Sequence, residues 1–201
     1  MSVRFAEGPR DGAALVQAGL TRQALSAGPL MTRLANVRAD VRDLALNEPH
    51  AVYDLHADEL AAGKGLVAAH ASGFRYLVHV AGEPVAAAEV HPGAPGGASL
   101  LANTNFGQFV ETSSRAFDEA AKLEPVQHGA YEARLLRCSA VFLMAVWLKS
   151  DNAAQPDIIV PMAPAPSGLE ADRPYDEPAL LAAIAPLARM RTANSPSQPV
   201  P

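Results

Sequence analysis

The chain has 201 residues, of which 49% are hydrophobic and 18% charged, and its formal net charge is -5. That apolar share excludes a mostly disordered polymer, which could not repay the entropy of ordering. The scattered basic residues exclude a surface that neutralises a row of phosphates, so no nucleic-acid partner is expected.

A chain of this length buries roughly 70% of its unfolded surface without help from disulfides, metals or cofactors, and none is expected. Met1 to Arg10 carries Glu7 and Pro9 and lacks the apolar centre of a secretory signal. The longest apolar run, Ala140 to Leu148, is about half of the ~20 residues that span a bilayer, so no membrane contact is expected. The single Cys138 accords with a reducing, cytoplasmic setting. Arg greatly outnumbers Lys and Ala is abundant, a bias of GC-rich, bacterial coding sequences.

In chain order, Asp11 to Leu25 reads as a helix, and Gly28-Pro29 breaks it from a longer one. Leu30, Met31, Leu34, Val37, Val41 and Leu44 recur at spacings of three and four, predicting about four amphipathic turns from Leu30 to Leu44. Ala51 to His56 reads as a short strand and Asp58 to Ala71 as a helix, weakened by Gly63 and Gly65. Phe74 to Val80 and Val85 to His91 form a hairpin about Ala81-Gly82-Glu83-Pro84. A loop from His91 to Gly97 and a short strand from Ser99 to Ala102 follow.

Thr104 or Asn105 is placed to cap a helix from Phe106 to Leu123, which Glu124-Pro125 ends. Tyr131 to Leu148 is ambiguous by periodicity, because an uninterrupted apolar run carries no phase; a buried helix is the alternative to a strand. Its Val, Phe and Trp content favours a strand, kinked near Cys138-Ser139 and adjacent to a second strand at Ile158-Ile159-Val160. Asp176-Glu177-Pro178 opens a last helix whose apolar side is Leu180, Leu181, Ile184, Leu187 and Met190.

This order predicts an α+β fold, a mostly antiparallel curved sheet packed against helices with an N-terminal helical extension. The expected divisions are a helical segment over 1-48, an α+β domain over 49-191 and a disordered tail over 192-201.

Chemistry is less legible. Asp54, His56 and Asp58 would share one face of a strand, presenting carboxylate, imidazole and carboxylate together, yet no zinc-ligand spacing accompanies them. Their bland reading is two solvent-facing strand residues and a helix cap. Cys138 is a nucleophile only if a histidine reaches it; in an apolar strand a thiol is usually inert. Ser72 and Ser139 lack the nucleophile-elbow pattern, and Gly63-Lys64-Gly65 fails the phosphate-loop pattern because Leu66 follows.

Arg134 and Arg137 flank Leu135-Leu136. They mark the strand's exposed edge or point into a cleft for a carboxylate or phosphate. His91 stands in a loop able to form a lid or ligand contact. Trp147 reads as a core or interface aromatic before a stacking platform. The reading that follows is a non-enzymatic, intracellular module binding a protein partner or small ligand, as a homo-oligomer through the N-terminal helices or the sheet. The alternative is a small hydrolase-like enzyme with a His/Asp or Cys/His site.

Overall fold

A computed structural model describes residues 3-94 and 97-194. Its eight strands form one sheet in the order β5-β4-β3-β2-β6-β7-β8, with β1 beside β6. The strands are β1 (Val3–Phe5), β2 (Ala45–Asp54), β3 (His70–Val80), β4 (Glu83–His91), β5 (Leu100–Asn105), β6 (Tyr131–Cys138), β7 (Leu143–Ser150) and β8 (Ile158–Pro161). Neighbours run antiparallel except at β2–β6 and β1–β6. The α+β class and the mostly antiparallel sheet read from the sequence are thus what the chain adopts.

Two antiparallel meanders, β2 to β5 and β6 to β8, therefore meet along one parallel seam, where Val52 lies opposite Leu135 and Asp54 opposite Arg137. A bulge lies between Asn47 and His50, with Glu48 in the left-handed region at φ 51°. It accommodates Pro49, which cannot donate to a ladder. β1 pairs with the first half of β6 and β2 with the second, so two strands share one side of β6 end to end.

Alternation along the strands divides the core. Tyr131, Ala133 and Leu135 pack with Val110, Phe117 and Ala120 of α4 (Gln108–Ala121) and Val126 of α5 (Glu124–His128). On the opposite face, Tyr76, Val78 and Val90 meet Val16 and Leu20 of α1 (Gly12–Gln23) and Leu30 and Leu34 of α2 (Pro29–Val37). Beside them Leu136, Ala145 and Ile159 meet Leu60 of α3 (Ala57–Ala61) and Leu180 and Ile184 of α6 (Glu177–Asn194). One face carries α4 and α5; the other carries two helix pairs side by side.

Several expected boundaries move for local reasons. The helix from Leu30 stops at Val37 because Arg38 turns left-handed, at φ 53°. Asp40 and Asp43 then cap a short 3-10 turn, and Leu44 leads into β2. β2 begins at Ala45, so the expected division at 48/49 falls inside a strand. The helix expected over Asp58 to Ala71 ends at Ala61, ahead of Gly63 at φ 79°, and β3 starts at His70. Glu124-Pro125, expected as a terminator, opens α5.

Tyr131 to Leu148 is extended, as read from its composition, but its kink is a full reversal. A 3-10 turn at Ser139–Val141 and left-handed Phe142 join β6 to β7. The hairpin of β3 and β4 has the two-residue loop Ala81-Gly82, both left-handed. α6 continues through Asn194, so Thr192 to Asn194 are helical where a disordered tail was expected; 195-201 lie outside the described residues. Among the described residues no helix is long and apolar enough to cross a membrane.

Candidate functional site

The carboxyl ends of β2 and β6 lie side by side, and their chains then leave in opposite directions along the sheet. Such a divergence opens a crevice at the strand ends. Here it holds a hollow of about 460 Å³ lined by Asp54, His56, Asp58, Arg137 and Ser139. Sequence alternation anticipated part of this grouping for the wrong reason: His56 lies beyond β2 and precedes α3, and the turn, not the strand, brings it back beside Asp54.

Arg137 organises the hollow. Its Nε donates to Asp54 Oδ1 at 2.6 Å, its Nη2 to Asp54 Oδ2 at 3.1 Å, and its Nη1 reaches Glu89 Oε2 at 3.3 Å. Burial alone would raise the Asp54 carboxyl, but hydrogen bonds from Arg137 and Ser72 and the Arg137 charge hold it below its ordinary value. Glu89 also faces Arg75, 3.6 Å away and 1% exposed. Nε and Nη2 of Arg75 are buried with no hydrogen-bond partner. Two arginines and two carboxylates thus form a chain of charge beside α4.

The histidine-carboxylate contact near the hollow is not the one the sequence suggested: His70 Nε2 lies 3.1 Å from Glu59 Oε2. Asp54 is engaged by Arg137, and among the described residues no hydrogen bond joins His56 to Asp54; the His56 ring lies 5.5 Å from that of His70. Cys138 is buried among Leu55, Leu136 and Leu143, and burial pushes its thiol up. It does not line the hollow. His91 ends β4, exposed and two strands from β2. Among the described residues no cluster of His, Cys, Asp and Glu is arranged to hold a metal.

Arg134 and Arg137 are three residues apart on an extended strand, so they project to opposite faces. Neither marks an exposed edge, because β6 lies between β2 and β7. Arg134 lines a second cleft, of about 340 Å³, with Tyr53, Trp147, Lys149, Leu66 and Val67. Its Cζ sits 4.7 Å from the Tyr53 ring centre and 5.0 Å from that of Trp147. Those rings meet edge to face at 5.2 Å.

Every carboxylate around this cleft is engaged within the protein. Glu132 accepts from Arg134 Nε at 2.7 Å and from Arg4 Nη1 at 3.2 Å. Asp157 accepts from Trp147 Nε1 at 2.9 Å, Lys149 Nζ at 3.1 Å and the Ser150 amide at 3.0 Å. Glu177 accepts from the Leu66 amide at 2.7 Å. Arg134 differs: among the described residues its two terminal nitrogens make no hydrogen bond. A guanidinium held over two rings and tethered at Nε is a prepared fork for a carboxylate or phosphate.

Sequence reading singled out Arg134 and Trp147 separately and missed Tyr53, Arg75 and Glu89. The only signal for the last two was a charge within each run expected to form a buried hairpin. Comparison with protein-family models, with curated proteins and with solved structures gives no match.

Proposed function

We propose that this chain is a binding module rather than a catalyst, and that it takes a small organic anion between Tyr53, Arg134 and Trp147. The observation that carries this reading is the arginine fixed on three sides with its terminal nitrogens unengaged. Preorganisation reduces the ordering cost that a flexible cation would incur on binding. Apolar Leu66 and Val67 on the wall favour a ligand with a hydrocarbon or ring portion beside its acid group.

Trp147 is the sole tryptophan, so its fluorescence reports on the cleft directly. Benzoate, phenyl phosphate and inorganic phosphate are titrated to roughly 10 mM, enough to detect a Kd of about 1 mM. The expected result is a saturable change with the two aromatic anions, weakened by Arg134→Lys and abolished by Arg134→Met at unchanged circular dichroism. No saturable change, or one that survives Arg134→Met, would overturn the reading.

A further inference from the structure

Among the described residues, the donors around the Arg134 cleft are largely spent on the protein's own carboxylates. Trp147 Nε1, Lys149 Nζ and the Ser150 amide go to Asp157, and the Leu66 amide goes to Glu177. The terminal nitrogens of Arg134, whose Nε is held by Glu132, stay open to a ligand. Two parallel N–H groups match the two oxygens of one carboxylate. A phosphate dianion brings more acceptors and more charge than this single fork can answer.

Features that usually receive phosphate are closed in the same way. Glycine-rich turns and helix starts offer phosphate a set of backbone N–H groups. At the turn over Gly63-Lys64-Gly65, a side chain on Gly65 would collide with Glu177 Oε1, so the glycine makes room for a carboxylate of the chain itself. At the start of α6, Asp176 Oδ1 accepts from the Ala179 amide at 2.9 Å, and Glu177 adds a second acid in the first turn. Glu177 is half-buried on the cleft wall, and among the described residues its carboxylate has an amide and no cation for a partner. The charges that line the cleft, Arg134 and Lys149 against Asp157 and Glu177, sum to zero. One arriving negative charge meets the Arg134 fork; a second meets Glu177 uncompensated.

We infer that the cleft selects a monocarboxylate with an apolar body over a phosphate dianion, with Glu177 setting the preference; this rests on the anion-binding reading above. Val67 is 95% exposed beside the buried Leu66, so a hydrocarbon body lying on this wall covers apolar surface that water otherwise meets. Arg134 attracts the acid group. Glu177 acts by repulsion, the part of specificity that works against the wrong ligand.

Trp147 fluorescence at about pH 8 and constant ionic strength compares benzoate, benzenesulfonate and phenyl phosphate. Phenyl phosphate is a dianion there, because its second pKa is about 6. Benzenesulfonate is a tetrahedral monoanion, so it separates charge from shape. Benzoate and benzenesulfonate are expected to bind about fivefold more tightly than phenyl phosphate, the scale of one like-charge repulsion under partial screening. Glu177→Gln keeps an acceptor for the Leu66 amide and removes the charge, and should bring the three Kd values within about twofold of one another. Asp176→Asn removes a neighbouring charge outside this cleft and should leave the ratios unchanged. Absence of saturable binding by all three overturns the anion reading itself, and this selectivity with it. The selectivity alone is overturned if phenyl phosphate binds as tightly as benzoate, if benzenesulfonate binds as weakly as phenyl phosphate, or if Glu177→Gln shifts the ratios no more than Asp176→Asn does.

Discussion

Arg137 and Asp54 are partners in register across the parallel seam, and two hydrogen bonds, at 2.6 and 3.1 Å, join their side chains at the point where the two strands part. Backbone pairing and ion pairing there reinforce each other. Each side chain is about three-quarters buried, so water screens the pair only partly.

Asp54→Asn should therefore lower stability at neutral pH by about 2 kcal/mol, the scale of hydrogen bonds to charged groups. The Asp54 carboxyl is held below 3.8, so its contribution is present above that value and disappears as pH falls through the lower folded value. Urea midpoints of wild type and variant should accordingly converge in acid. A constant gap down to pH 2 would mean that the carboxylate is not the source of the effect.

Glu89 and Arg75 offer a contrast in which removing the acid costs more than removing the base. Glu89→Gln leaves the buried Arg75 without its nearest anion and should cost about 3 kcal/mol. Arg75→Met deletes two buried unpartnered donors while Glu89 keeps Arg137, and should stay within about 1 kcal/mol of wild type. Equal losses by chemical denaturation would contradict this ordering.

Cys138 should react slowly with iodoacetamide in the native protein at neutral pH and rapidly once urea exposes it, because burial both raises the thiol and blocks approach. Rapid native labelling, followed by mass spectrometry, would reopen the thiol-enzyme alternative.

Glu48 lies in the β2 bulge with Oε2 buried and unpartnered, and burial and then nearby Asp118 push its carboxyl up to about 7. The folded state therefore holds this proton more tightly than the unfolded state. Stability from this group is complete below about 4.5 and is lost as pH rises to about 7. Buried His50, lowered to about 3 chiefly by desolvation, works in the opposite sense, losing stability as pH falls below 6.5. Comparing Glu48→Gln with wild type isolates the first effect: the variant should gain thermal stability relative to wild type between pH 4.5 and 7. A parallel pair of melting-temperature profiles would refute it.

The sequence made legible what depends on short-range pattern. The β3–β4 hairpin follows from two apolar runs around a glycine turn, and the start of α2 follows from the Gly28-Pro29 break and the three- and four-residue spacing of apolar positions from Leu30. Left-handed Arg38, Glu48 and Phe142 were not legible, because no glycine announces them; Arg38 ends α2, Glu48 bulges β2, and Phe142 helps to reverse the chain between β6 and β7. The seam was hidden for another reason. Asp54 and Arg137 are 83 positions apart, and local pattern does not specify which distant strand a strand joins. Tyr53 and Trp147 likewise became cleft walls only once β2, β6 and β7 were laid side by side.

Joining two meanders along one remote seam has a kinetic consequence. Hairpins close in microseconds, whereas bringing residues 51-54 against 134-137 must first overcome the entropy of a much longer loop. Refolding is thus expected to be paced by the encounter of two partly built half-sheets. Trimming Val52 at their junction would retard that encounter, while trimming Ile159 in the outlying β8 would chiefly hasten escape from the native state.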